Sequence, residues 1–180
     1  MSITREETQA VPAGAWTLDR VHSSIGFEIA YMGGTFRGQF NDVDARLQDG
    51  RLEGSARVAS VQVKDENLEA HLQSPDFFDA ERHPELRFES TEVAREGDEL
   101  TVRGEITIKG STQPVELKGT IGAGTKGDGS DVTVLKLGTV IDRTDFGVNW
   151  NMPLPDGRPA LANEVALNAD LFLTQEAQER

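Results

Sequence analysis

The chain has 180 residues, enough for one domain with its own core and too few for two of ordinary size. Its net charge of −13 argues against a reader of nucleic-acid phosphates and against adsorption to a surface of anionic lipid headgroups, both of which need clustered basic surface. Having no cysteine, it has no disulfide framework and no thiolate metal site, and it suits a reducing compartment.

Residues 1–14 form a polar arm with no apolar run long enough for a signal-peptide core, and no later stretch approaches a membrane helix. The expectation is a cytoplasmic protein without stable membrane insertion. A single domain is expected over 15–174, followed by a polar tail at 175–180.

From Ile25 onward apolar residues alternate with polar ones. Ile25, Phe27, Ile29 and Tyr31 form one set, and Phe36, Gly38 and Phe40 follow the Gly33-Gly34 break. Val43, Ala45 and Leu47 lead to a turn at residues 48–51, then Leu52, Gly54, Ala56 and Val58 continue. The phase then shifts to Val61 and Val63, the mark of a bulge or bend. Further strands are predicted through Leu86, Phe88 and Val93, through Leu100 to Ile108, through Val115 to Ile121, over Val132 to Ile141 and over Val165 to Leu173. One segment has helical spacing instead: Leu68 and Leu72, with Asp65 or Asn67 as cap, predict a short helix over 66–73. A turn at Pro75 and an apolar knot at Phe77-Phe78 follow.

The fold class is therefore all-β, with roughly eight antiparallel strands and one short helix, as a sandwich or an up-and-down barrel. Gly38, Gly54, Gly104 and Gly119 fall in phase with the large inward residues. They either mark sharp coiling in a packed barrel or leave an interior tunnel open, and pattern alone permits both.

No catalytic set stands out. His83, before Pro84 in a polar stretch, is expected to be exposed, and His71 to have a hydrogen-bonded structural role. His22 adjoins Ser23-Ser24, but neighbours on a strand face opposite ways. The loop Gly122 to Ser130 lacks phosphate-loop spacing and reads as a hairpin. The segment Asp142 to Gly147 contains Asp-Phe-Gly without the other kinase elements. There Arg143 can fork onto a carboxylate; it reads as a staple of the barrel mouth in preference to a holder of a ligand head.

Five segments in order resemble the YceI family of polyisoprenoid-binding, lipocalin-like proteins. They are Trp16 to Asp19 with Val21 to Phe27; Gly38-Gln39-Phe40; Asn67 through Asp79, continuing over His83 to Thr91; Val102-Arg103-Gly104 with Ile106 to Gly110 and Pro114-Val115; and Arg143 to Gly147. The resemblance implies an eight-stranded lipocalin-like barrel around a long isoprenoid or other lipid, with no catalytic centre, no metal and no cofactor. It also points to a homodimer. Glu69-Ala70 stands where many relatives carry Arg-Asp, and Tyr31 where a histidine is frequent. On this reading Phe27, Ile29, Phe36, Phe40, His71, Leu72, Phe77, Phe78, Phe88, Ile106 and Phe146 line the lipid tunnel. Two other readings are an enzyme acting on an apolar substrate in the same cavity, and a packed barrel serving as an interaction module. The first would need acid–base side chains converging on inward positions, the second a solid core.

Overall fold

A computed structural model describes residues 11–175, so residues 1–10 of the arm and 176–180 of the tail lie outside the described residues. The strands in chain order are β1 (Ala15–Leu18), β2 (Ser24–Tyr31), β3 (Gly34–Phe40), β4 (Val43–Gln48), β5 (Arg51–Arg57) and β6 (Val61–Gln62). After helix α1 (Glu66–Gln73) come β7 (Glu85–Glu96), β8 (Glu99–Ile108), β9 (Ser111–Thr125), β10 (Asp131–Asp142) and β11 (Leu161–Gln175).

Hydrogen bonding runs β1-β4-β5-β7-β8-β9-β10-β11 and returns to β1, closing an antiparallel barrel of eight strands. The remaining β2, β3 and β6 continue β1, β4 and β5 past a break in each, so each pair acts as one bent stave. The phase shift predicted after Val58 is such a break: a helical turn over Val58–Ser60 separates β5 from β6. Closure pairs each of the eight strands on both sides along at least part of its length.

The pairing registers bring the inward sets face to face. Trp16 lies opposite Leu47, Ile25 opposite Phe40, Phe88 opposite Ile106, and Leu135 opposite both Ile121 and Leu171. Three two-residue turns fix these registers: Met32-Gly33, Asp49-Gly50 and Lys109-Gly110 all have positive φ at both positions. That geometry matches the right-handed twist of the flanking strands, and glycine supplies its second position without strain. In β7 an extra residue between Ser90 and Glu92 shifts the register to β8, and the Ser90 hydroxyl accepts from the Leu52 amide at 2.8 Å.

The interior divides into two clusters. The lower one packs Trp16, Leu47, Leu100, Val102, Leu135 and Leu173 around the β4–β5 and β7–β8 turns, and Val11 joins it. The upper one gathers Phe27, Phe40, Leu72, Phe77, Ile108 and Phe146 beneath α1 and the segment after β10. The helix occupies the predicted residues, with the Asp65 carboxylate accepting from the amides of Asn67 and Leu68. It ends where the Ser74 amide and hydroxyl both donate to the His71 carbonyl. Phe78 then donates to the Leu72 carbonyl, folding the knot back under the helix.

Candidate functional site

Between the two clusters the barrel holds a partly open cavity of about 390 Å³, inside the roughly 300–1,000 Å³ usual for ligand pockets. Its wall is almost wholly carbon. All eleven residues singled out from sequence line it. Phe27, Ile29, Phe36 and Phe40 come from β2 and β3, Phe88 and Ile106 from β7 and β8. His71, Leu72, Phe77 and Phe78 hang from the roof, and Phe146 enters from the turn after β10. Sequence reasoning missed Tyr31, Leu68, Val148, Trp150 and Leu161 near the roof, and Leu117, Leu137 and Leu171 lower down.

Two aromatic groups shape the upper part. Phe27 meets Phe36, Phe40 and Phe78 at centroid distances of 6.2, 5.9 and 6.2 Å, and Phe40 meets Phe78 edge-on at 5.8 Å. On the other side His71 stands edge-on to Trp150 at 4.6 Å and to Phe77 at 4.9 Å. Such offset and edge contacts suit the ring quadrupoles. The His71 Nε2 is 3.0 Å from the Asp76 carboxylate. That bond orients the ring, the structural role expected of His71.

The roof has two parts tied by one lysine. Lys109 Nζ, in the β8–β9 turn, donates to the Pro75 carbonyl at 2.5 Å and to the Gly147 carbonyl at 3.3 Å. It links the knot to the strap of residues 143–160. The strap is itself pinned by Asn151, whose side-chain amide pairs with both backbone groups of Leu161 at 2.8 and 3.0 Å. This substitutes for a strand partner where β11 shifts register between Leu161 and Val165.

Several expectations change. Of the four inward glycines, Gly38 and Gly104 seat the rings of Phe27 and Phe88, and a side chain at Gly119 would collide with the Lys136 carbonyl. Close packing explains those three. Gly54 alone of the four lines the cavity, where an added Cβ would meet only the Asp44 carbonyl, at 3.7 Å. His83, expected to be exposed, is half-buried because its ring lies over Gly110. His22 pairs with Asp19 at 2.8 Å, while the Ser23 hydroxyl accepts from the Phe172 amide. The Gly-rich loop is a β9–β10 hairpin, with β9 running on to Thr125.

Arg143 departs most from expectation. It forks onto carbonyls instead of a carboxylate: Nε donates to Ala162 at 2.9 Å, and Nη1 to Val148 at 2.7 Å and Trp150 at 2.9 Å. The side chain is only 4% exposed and borders the cavity. Burial pushes its guanidinium below the ordinary arginine range, partly offset by the nearby Asp142 charge; an arginine nevertheless stays protonated. Asp142 itself turns away to accept from the Thr144 amide and hydroxyl at 2.9 and 2.5 Å, bonds that hold its carboxyl below the usual range. The Asp-Phe-Gly run is thus a helical turn over Arg143–Phe146, closed by Gly147 at φ 76°.

Among the described residues no three His, Asp or Glu side chains converge as a metal site, and no helix is long and apolar enough to cross a membrane.

Comparison with known proteins agrees with this architecture. A YceI-like domain profile matches residues 16–173. A UPF0312 protein of Shewanella denitrificans is 31% identical over 166 residues, covering 86% of this chain and 84% of the relative. A Staphylococcus aureus UPF0312 protein is also 31% identical, covering 86% and 94%. One from Photorhabdus laumondii is 33% identical over a shorter 118 residues, 61% of this chain and 59% of the relative. Among solved structures, Burkholderia cenocepacia BcnA superposes with a TM-score of 0.73 at 22% identity, covering 86% of this chain and 98% of that one. A polyisoprenoid binding domain from Saccharophagus degradans gives 0.67 at 10% identity, covering 89% and 98%.

Proposed function

The chain belongs to the YceI-like family, and on that premise we propose that it binds, stores or carries one long apolar chain inside the barrel. The observation that carries this reading is the cavity of about 390 Å³ walled by carbon between two packed clusters. At roughly 30 Å³ for a group the size of a water or a methylene, it has room for on the order of a dozen carbons. Each buried methylene contributes about 0.8 kcal/mol before ordering costs, so the wall alone supports useful affinity. A domain of the same fold in Saccharophagus degradans is a polyisoprenoid binder, which favours an isoprenoid chain over a straight one.

The protein works as a carrier and not as an enzyme. The roof histidine is engaged by Asp76 and braced by two aromatic rings, and Arg143 donates to backbone, so neither has a nucleophile to serve. Its work lies in the cytoplasm, a setting that the cysteine-free composition suits. Native mass spectrometry of protein purified without lipid stripping tests the reading. A retained mass of a prenyl or fatty chain is expected. Protein that is uniformly free of adducts, and that takes up neither geranylgeraniol nor palmitate when offered, would overturn it.

A further inference from the structure

The guanidinium of Arg143 has three nitrogens, and two are spent. Nε and Nη1 use their hydrogens on the carbonyls of Ala162, Val148 and Trp150. Nη2, with two N–H donors, meets no acceptor among the described residues. Among the described residues no side-chain polar atom that is wholly shut off from space lacks a partner, so Nη2 abuts open volume. The residue is 96% buried and is part of the cavity wall, so the cavity is the volume assigned to Nη2 by inference. No described carboxylate lies within ion-pair distance of this buried cation, because Asp142 is turned toward Thr144. A desolvated guanidinium facing carbon walls gains more from an anionic oxygen than from any neutral group.

We propose that Arg143 is the head-group site of the cavity, holding a phosphate or carboxylate oxygen on Nη2 while the tail points down toward Leu117, Leu137 and Leu171. The ligand class is a single-chain amphiphile with an anionic head, bound head-up beneath the strap. This rests on the reading of the barrel as a binder of apolar chains and adds its polarity and orientation. The three carbonyl bonds suit the role, because they fix the guanidinium plane before a ligand arrives and reduce the ordering cost of binding. Arg143 is thereby both a staple and a receptor.

The test compares dodecyl phosphate, dodecanoate and 1-dodecanol, which share a tail and differ in head, by calorimetric titration below their aggregation limits. Both anions are expected to bind at least about tenfold more tightly than the alcohol, the ratio that one charge-assisted hydrogen bond produces. The order of the two anions separates a phosphate head from a carboxylate. In Arg143→Met the ratio of anion to alcohol affinity is expected to fall from at least about tenfold to about one. That variant also strips three carbonyls of their donor, so a variant-free measurement accompanies it. In the wild-type protein the side-chain nitrogen resonances of Arg143 should shift with dodecanoate and stay still with dodecanol. Equal affinity for all three compounds, a folded R143M that keeps the anion preference, or unmoved arginine resonances would each overturn the proposal. In the first case chain binding itself would stand. Failure of every compound to bind would instead sink the carrier reading.

Discussion

Filling the cavity from its own wall gives the sharpest test of where a chain would lie. Gly54 sits between Ala45 and Phe88 across the β4–β5–β7 ladder, facing inward, with only the Asp44 carbonyl near a prospective Cβ. Gly54→Leu adds about four carbons, on the order of 120 Å³ at roughly 30 Å³ each. That is about a third of the 390 Å³ cavity. Excluding about four methylenes of ligand removes roughly 3 kcal/mol at about 0.8 kcal/mol each, near a hundredfold in affinity. Stability moves the other way. Replacing a strand glycine restores roughly 0.5–1 kcal/mol, and the new side chain buries carbon against carbon. Displacement of a fluorescent polyene fatty acid reads the affinity, and thermal unfolding of the ligand-free protein reads the stability. A G54L variant that binds the probe as the wild type does, at an unchanged or raised melting temperature, would show that the chain lies elsewhere. A melting temperature well below wild type would show that the wall at Gly54 has no such room.

Two further outcomes follow from single bonds. Ser90→Ala leaves the Leu52 amide facing the β7 bulge without its acceptor, at an expected cost of about 1–3 kcal/mol by urea unfolding; a loss below about 0.5 kcal/mol would mean that a water or a relaxed backbone replaces the hydroxyl. Asp19 is held at about 2 by the His22 ring, with Lys126 at 3.3 Å adding to the effect. Its folded pKa lies below the unfolded value near 4, so its contribution is fully present above about pH 4 and disappears as pH falls through 2. Acid unfolding of wild type and Asp19→Asn should therefore converge near pH 2 and diverge above 4, and parallel curves would refute the assignment.

What could be read in the sequence was what short-range periodicity encodes. Alternation located the strands, the helix bounds matched because Asp65 caps it and Ser74-Pro75 stops it, and the inward phase accounts for the six strand residues Phe27, Ile29, Phe36, Phe40, Phe88 and Ile106 of the cavity wall. Long-range backbone geometry was not readable. The staves broken at Val58 and before Ser24 resume beside the same neighbouring staves after the break, and no local pattern announces a partner. The carbonyls that receive Arg143 come from residues 148, 150 and 162, and backbone acceptors carry no residue signature. A carboxylate was the natural guess for that reason. Trp150 offered a faint signal, as an isolated aromatic in a polar stretch, but its place against His71 depends on the helix and the strap meeting over the barrel. The glycines left two readings open because a gap in one strand can be filled by the ring opposite it, as Phe27 fills the space at Gly38.

The lower cluster, described above as packing, also acts as a gauge. Along β2 the cavity wall runs from Tyr31 to Ile25, about six residue steps or roughly 20 Å of strand at about 3.3 Å per step. With a barrel tilt of about 35–45° this leaves roughly 15 Å of depth. A tail anchored at the roof is measured against that floor, and the excess of a longer one has to leave past the strap. Leu117, Leu137 and Leu171 thus graduate the scale, and trimming any one of them resets the length the barrel accepts without touching the end that recognises the head.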